Sequence, residues 1–161
     1  MRGGALPPVL ICAALGIALA FAPRSTWGGC ITALALTAAS VAVAVIPQAW
    51  ADYVFLGCWM SVTASAAAAH LPGGLGSRGA LTLSLNAGLW SGAEVALSGS
   101  RFELLKGLPC VLVILPAALI IRLRAPIVLK VLSSWLIAVA VLGAALQSLP
   151  VTPGYMPDHL E

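Results

Sequence analysis

Glu94 is the residue best placed to do chemistry, because it is a carboxyl group inside an otherwise uncharged segment, residues 80–98. Helical spacing puts Ser91 beside it, three positions earlier, and puts Trp90 and Asn86 one and two turns back on the adjoining arc. An ionisable side chain within a membrane span is costly and marks an ion or proton pathway by default. The four residues therefore define a candidate polar site at which a carboxyl could exchange a proton or hold a cation.

A structural role for Glu94 competes with this chemistry. A protonated or hydrogen-bonded carboxyl could fasten its helix to a neighbour, or it could reach the membrane interface. Trp90 could likewise shape a pocket beside the polar stripe or fill the space between two helices. Because polar side chains commonly join helices inside a bundle, the structural role is the favoured interpretation.

The residue types that usually bind metals or cofactors are dispersed along the chain. The cysteines fall one each in four apolar segments without a CxxC pair, which is typical of small apolar side chains inside helices. They are Cys12, Cys30, Cys58 and Cys110. His70 ends one segment and His159 lies in the tail, so they do not make a facing pair of haem ligands. We therefore expect no metal and no cofactor.

The sequence also contains no recognisable catalytic constellation. It has no paired carboxylates, no clustered histidines and no nucleophile beside a visible base. The glycine-rich stretch 72–79 lacks the GK[ST] ending of a phosphate-binding loop and is interpreted as a flexible turn. We do not expect an enzyme, and no catalytic residue is assigned.

The scarcity of charge identifies the solvent around these segments. Of 161 residues, 61% are hydrophobic and 8% are charged, whereas soluble domains carry about a quarter charged residues. So few polar side chains cannot cover a folded chain of this size in water, which makes the lipid bilayer the expected partner. The basic residues are scattered singly instead of forming a stripe, so nucleic acid is not an expected partner.

Apolar runs cut by proline, glycine and charge predict an all-α fold, a polytopic transmembrane helix bundle with short loops. Six spans of about 20 residues each would occupy most of the chain and make residues 1–161 a single integral membrane domain. The predicted spans are 6–22, 27–46, 53–71, 80–98, 104–121 and 127–149. A five-span bundle is the alternative, because the apolar part of the fifth span, 107–121, is short and contains Pro116.

The first span has a second interpretation as a cleaved secretory signal. Arg2 precedes an apolar run that ends in the triplet Ala20-Phe21-Ala22. Pro23 directly after that triplet disfavours processing, and the run is long enough to span a membrane. We therefore interpret it as the first helix.

Small and aromatic residues predict how the spans pack and where they end. Gly88 and Gly92 form a GxxxG step, which lets another backbone approach closely and indicates packing more than a specific dimer seam. Trp27, Trp50 and Tyr53 lie at predicted span ends, where aromatic side chains anchor a membrane protein at the headgroups. These patterns predict a compact bundle with aromatic residues at its two ends.

Positive charge predicts the orientation of the bundle. Connections after the first, third and fifth spans, with the start of the sixth span, carry Arg24, Arg78, Arg122, Arg124 and Lys130; the other side carries Arg2, Arg101 and Lys106. Because Lys and Arg favour the cytoplasmic side, we expect both termini outside the cytoplasm. The expected location is the cell membrane, as a multi-pass protein of a bacterial inner membrane.

Three functional classes follow from these features. Small-residue helices, minimal loops and the lack of a clear site favour a structural or assembly subunit that packs with other membrane proteins, in a larger membrane complex or a homo-oligomer. The alternative is a small transporter or channel component with a proton- or cation-linked site at Glu94. A membrane enzyme is the least favoured class.

Overall fold

The protein is all-helical in the computed structural model, which describes residues 6–98 and 108–148 and contains no strand in these ranges. This confirms the predicted fold class at the level of secondary structure. The helices described are α1 (Leu6–Ala20), α2 (Trp27–Ala42), α3 (Ala51–Ala68), α4 (Ser77–Ser98), α5 (Ile114–Arg122) and α6 (Pro126–Ser148). Single 3-10 turns precede α2 and α3, and a longer 3-10 segment, Leu108–Val113, leads into α5.

Two predicted helix ends were wrong for local reasons. The second helix ends at Ala42, four residues before the predicted 46, because Val43, Val45 and Ile46 are β-branched and Pro47 follows them. The third ends at Ala68 instead of 71. Approaching Pro72, its last turn tightens into bonds such as His70 N to Ala67 O at 2.9 Å.

The fifth predicted span has a different internal structure from the one expected. Its first residues, 104–107, lie outside the described residues, and the following six form a 3-10 helix. Pro116 lies in the first turn of α5, so the proline falls just after the junction between the 3-10 segment and the α-helix. The 3-10 segment rises about 2.0 Å per residue, so the segment and α5 together reach about 25 Å.

Helix α1 lies at the centre of the bundle. It contacts α3, α4, α5, α6 and the 3-10 segment, and Ile11, Leu15 and Leu19 on it are fully buried. Gly16 brings its backbone against that segment: a methyl group at this position would lie 2.8 Å from the Val111 carbonyl oxygen. The predicted first helix is therefore the main contributor of large buried side chains to the core.

Helices α2 and α4 pack backbone to backbone. Gly88 faces the Leu34 carbonyl, 2.7 Å from where a methyl group would stand, and Gly92 faces the Ala38 carbonyl at 2.6 Å. The prediction that this GxxxG step serves packing is confirmed, and the partner helix belongs to the same chain. Close contact of this kind lets dispersion forces act along the whole seam.

The connections that carry the positive charge lie at one end of the bundle. Leu75, after α3, donates its N–H to the Phe21 carbonyl after α1 at 3.3 Å. Arg24 and Arg122 line one pocket, so the connection after α5 is at the same end. Trp50 and Tyr53, whose ring centroids are 6.1 Å apart, lie at the start of α3, at the opposite end. We call these the arginine end and the Trp50 end.

Two of the described helical segments, Arg24–Ala42 and Pro126–Leu146, are long and apolar enough to cross a membrane. Pro7–Ala20 and Leu108–Arg122 are apolar but shorter. Helices α3 and α4 have the length and are richer in Ser, Thr and Gly. Of the six predicted spans, two therefore have both the length and the apolar composition that are needed to cross a membrane.

Candidate functional site

Glu94 lies inside the bundle, in the last two turns of α4, and only 5% of its surface is exposed. Cys58 on α3 is close enough to interact with it electrostatically. The carboxyl therefore lies against a neighbouring helix inside the bundle. Lys130 is exposed near the start of α6, at the arginine end, whereas Glu94 lies toward the Trp50 end.

Asn86 joins α4 to α3 by hydrogen bonds. Its Nδ2 donates to Ser61 Oγ at 2.8 Å, and its Oδ1 accepts from Trp90 Nε1 at 3.1 Å. Asn86 and Trp90 are one turn apart on α4, so the indole also holds the amide in a single orientation. Two of the four predicted site residues thus form a polar clamp between helices, in which Ser61 is a partner that sequence reasoning missed.

Trp90 fills the space between α3 and α4. A methyl group at Gly57 would overlap its ring, so the absence of a side chain at Gly57 is what lets the indole lie flat against α3. Cys58, the next residue, donates its thiol to the Trp90 carbonyl at 3.6 Å. Trp90 thus fills space between the two helices, and it also lines a pocket with Val41 and Tyr53, so both roles considered for it remain open.

Ser91 points into the bundle and is 2% exposed. Its hydroxyl makes no hydrogen bond of good geometry to any described residue, although the Cys12 thiol of the central helix approaches it. A buried hydroxyl without a good partner costs free energy. Ser91 therefore marks the α1-facing side of α4 as a polar interior surface, one turn before Glu94.

The cysteines are less dispersed than the sequence indicated. Cys12 lies beside Ser91, Cys58 beside Glu94, and Cys110 close enough to interact with Cys12. All four cysteines fall within described residues and none forms a disulfide. Within those residues no group of three or more His, Cys, Asp or Glu side chains is arranged to hold a metal ion. The thiols thus border the candidate site without forming a metal centre.

Depth along the helices is the signal that would have found this cluster. Cys12 lies six residues after the first residue of α1, and Cys58 lies seven after the first residue of α3. Glu94 lies four residues before the last residue of α4. At 1.5 Å per residue these distances are about 9, 10 and 6 Å from the same end, because α4 runs opposite to α1 and α3. A count of cysteines per segment does not show that Cys12, Cys58 and Glu94 lie at a similar depth in the bundle.

Comparisons with protein-family models, with curated proteins and with solved structures gave no match to this chain. The function of the chain must therefore be inferred from its own geometry. That geometry places a carboxyl, a hydroxyl and thiols along the inner side of α4, beside a hydrogen-bonded clamp that joins α4 to α3. The carboxyl, with the hydroxyl and thiols near it, can exchange a proton or a cation. The clamp holds α3 and α4 together.

Proposed function

We propose that this chain is a small integral membrane protein with six membrane-crossing segments, acting as a structural or assembly subunit that packs with other membrane proteins. The observation that carries the proposal is the distribution of polar and apolar side chains between the inside and the outside of the bundle. Ser61, Ser65, Ser84, Ser91 and Glu94 are buried, while large apolar side chains cover the outside. In water this arrangement would expose an aggregating surface, whereas in lipid it is the stable one.

The element lengths support six crossings of the roughly 30 Å hydrocarbon layer. Helices α4 and α6, with 22 and 23 residues, reach about 33 to 35 Å. Helix α1, with 15 residues, reaches about 22 Å. Its central position shields its ends from lipid. The mixed 3-10 and α segment at 108–122 reaches about 25 Å, which is close to a span and favours six crossings over five.

The assembly role is supported by the outer faces of α2 and α6. Each packs mainly on one neighbour, α2 on α4 and α6 on α3, and leaves most of its apolar surface uncovered. Leu36 is 72% exposed and Trp135 is 61% exposed. Ser134 and Ala138, also exposed, form a small-xxx-small step on α6, the pattern that lets another helix approach.

Site-specific cross-linking tests this role. A benzophenone amino acid replaces Leu142, on the exposed face of α6, and the matched control carries it at Ser77, the exposed first residue of α4. After irradiation of native membranes, the Leu142 variant should give one discrete protein adduct, and mild detergent should recover the same partner in fixed stoichiometry. Adducts with lipid alone, together with a monodisperse lone chain, would refute the assembly role while leaving membrane insertion intact.

A second candidate function, a small transporter or channel component, is favoured by one observation. Glu94 is buried in the bundle interior beside Cys58 and one turn from the buried hydroxyl of Ser91, which lies against the Cys12 thiol. A carboxyl in such surroundings can exchange a proton as the helices around it move. In this proposal Asn86 and Trp90 hold α4 in place while Glu94 and Ser91 form the site.

Proton flux in reconstituted vesicles tests the second function. Glu94→Gln keeps the size of the side chain and removes its ionisation, so a pH-driven flux through this site should be abolished. Asp52→Asn is the control, because Asp52 is the other carboxylate among the described residues and is exposed in the first turn of α3. Equal flux in the wild type and the Glu94 variant would eliminate the transporter interpretation.

A further inference from the structure

A pocket at the arginine end combines positive charge with apolar walls. It has a volume of about 320 Å³ and lies between the start of α2 and the length of α5. Its lining residues are Arg24, Trp27, Leu115, Ala118, Leu119 and Arg122. The site is separate from Glu94, which lies toward the opposite end of the bundle.

Arg24 of the pocket is positioned by a ring contact, and Arg122 is placed there by the end of a helix. Trp27 donates its indole N–H to the Ala22 carbonyl at 3.4 Å, which fixes the ring. Arg24 then lies over that ring, with Cζ 5.6 Å from the centroid, a cation–π contact. Arg122 is in the last turn of α5, where the helix dipole favours a cation. Both positive charges thus line the pocket, and that of Arg24 is held by the indole.

No described carboxylate balances these charges. Residues 6–98 and 108–148 contain two acidic residues, of which Asp52 opens α3 at the Trp50 end and Glu94 is buried nearer to that end. Arg78, Arg124 and Lys130 add further positive charge to the arginine end. An anion from outside the described bundle is therefore the electrostatic complement of the pocket.

The walls indicate what carries that anion. Leu115 and Leu119 are more than half exposed and continue along α5 away from Arg122. A ligand with a phosphate at one end and a hydrocarbon chain at the other would match both parts. Paired guanidiniums bind phosphate oxygens through charge-assisted hydrogen bonds, and an indole is suited to the headgroup level.

We propose that Arg24, Trp27 and Arg122 form a binding site for the phosphate of an anionic phospholipid, whose acyl chain lies along Leu115 and Leu119. The inference rests on the membrane placement proposed above. It adds a specific lipid to that placement and predicts that the arginine end faces the leaflet richer in anionic lipid. Anionic headgroups are recognised by basic pockets between membrane helices through the same chemistry.

The test measures phosphatidylglycerol binding to the purified full chain in mild detergent, with phosphatidylcholine as the reference lipid. In the Arg24→Gln/Arg122→Gln double variant the apparent Kd for phosphatidylglycerol should rise by roughly 30-fold, since two basic contacts are lost. Arg78→Gln is the matched control, because Arg78 is exposed at the same end and does not line the pocket. Its Kd should stay at the wild-type value.

Three results would overturn the proposal: an unchanged Kd in the double variant, an equal rise in Arg78→Gln, or displacement of the lipid by inorganic phosphate alone. The last would assign the pocket to a soluble phosphate compound. Circular dichroism of all variants checks that the exposed substitutions leave the helices folded. Flotation of each variant with phosphatidylcholine vesicles tests membrane placement separately, so failure of the lipid site and failure of membrane insertion give different results.

Discussion

Hydrogen bonding divides the four candidate residues into two groups with different surroundings. Asn86 and Trp90 act together through their mutual bond and through Ser61 on α3. Ser91 and Glu94 also lie beside thiols, those of Cys12 and Cys58. Helical spacing alone places all four on adjoining arcs of α4, but it cannot show which arc meets a polar neighbour, because that depends on side chains far away in the sequence.

A double-mutant cycle tests the clamp at this scale. Asn86→Ala and Ser61→Ala should each lower the free energy of unfolding, and their effects should be coupled by about 0.6 kcal/mol, the average for hydrogen bonds between membrane helices. The measurement is unfolding in detergent followed by circular dichroism. Thr82→Ala replaces Asn86→Ala in the control cycle, because Thr82 is exposed and bonds to Gly79 within its own helix. If the control cycle gave a coupling energy as large as that of the Asn86 cycle, the proposed clamp would be contradicted.

Glycines determine how the helices meet at the scale of elements. Gly57 admits the Trp90 ring between α3 and α4, Gly88 and Gly92 admit the backbone of α2, and Gly143 on α6 lies under the ring of Trp59. The predicted GxxxG step was correct, whereas Gly57 and Gly143 carry no pattern of that kind. Their role comes from a large aromatic side chain on another helix.

The seam between α2 and α4 gives the prediction at this scale. Gly88→Ala and Gly92→Ala should each destabilise the protein by about 1 to 3 kcal/mol, because the added methyl meets backbone that cannot move aside. Thermal unfolding in detergent provides the measurement. Gly28→Ala on α2 is the control, since open space surrounds that position, and it should be neutral or slightly stabilising. Unchanged stability in both seam variants would show that the two helices are not tightly packed.

At the scale of the whole molecule, the arrangement of polarity and charge is the distinctive property. The buried polar side chains include five serines and Glu94, while many large apolar side chains face outward. The basic connections gather at the arginine end, and Trp50 and Tyr53 lie at the other. For the membrane bundle proposed above, the positive-inside rule predicts that the arginine end faces the cytoplasm.

Cysteine accessibility tests that topology. Single cysteines replace Ser25, Gln48 and Leu123 in a Cys110→Ala background, because the other three native cysteines are buried. With six crossings, an impermeant maleimide should label position 48 in intact cells, and positions 25 and 123 only after permeabilisation. Labelling of position 123 together with 48 would instead support five crossings. Labelling of 25 and 48 from the same side would contradict the membrane orientation.

Composition and the spacing of apolar runs were sufficient to predict an all-helical chain and to place its helices to within a few residues. These are local properties, since each run needs only its own residues and the prolines that interrupt it. Glu94 could also be chosen from the sequence, because one carboxyl in an uncharged segment is conspicuous wherever the helix packs.

Tertiary structure alone decided what surrounds each of these residues. It made α1 the centre of the bundle, paired Asn86 with Ser61, brought Cys12 and Cys58 to the level of Glu94, and placed Arg24 and Arg122 on one pocket. Such contacts join residues 25 to about 100 positions apart, and many packings of similar Ala- and Leu-rich helices satisfy the same apolar pattern. Side-chain shape at the seams selects one of them, and no short stretch of sequence contains that information.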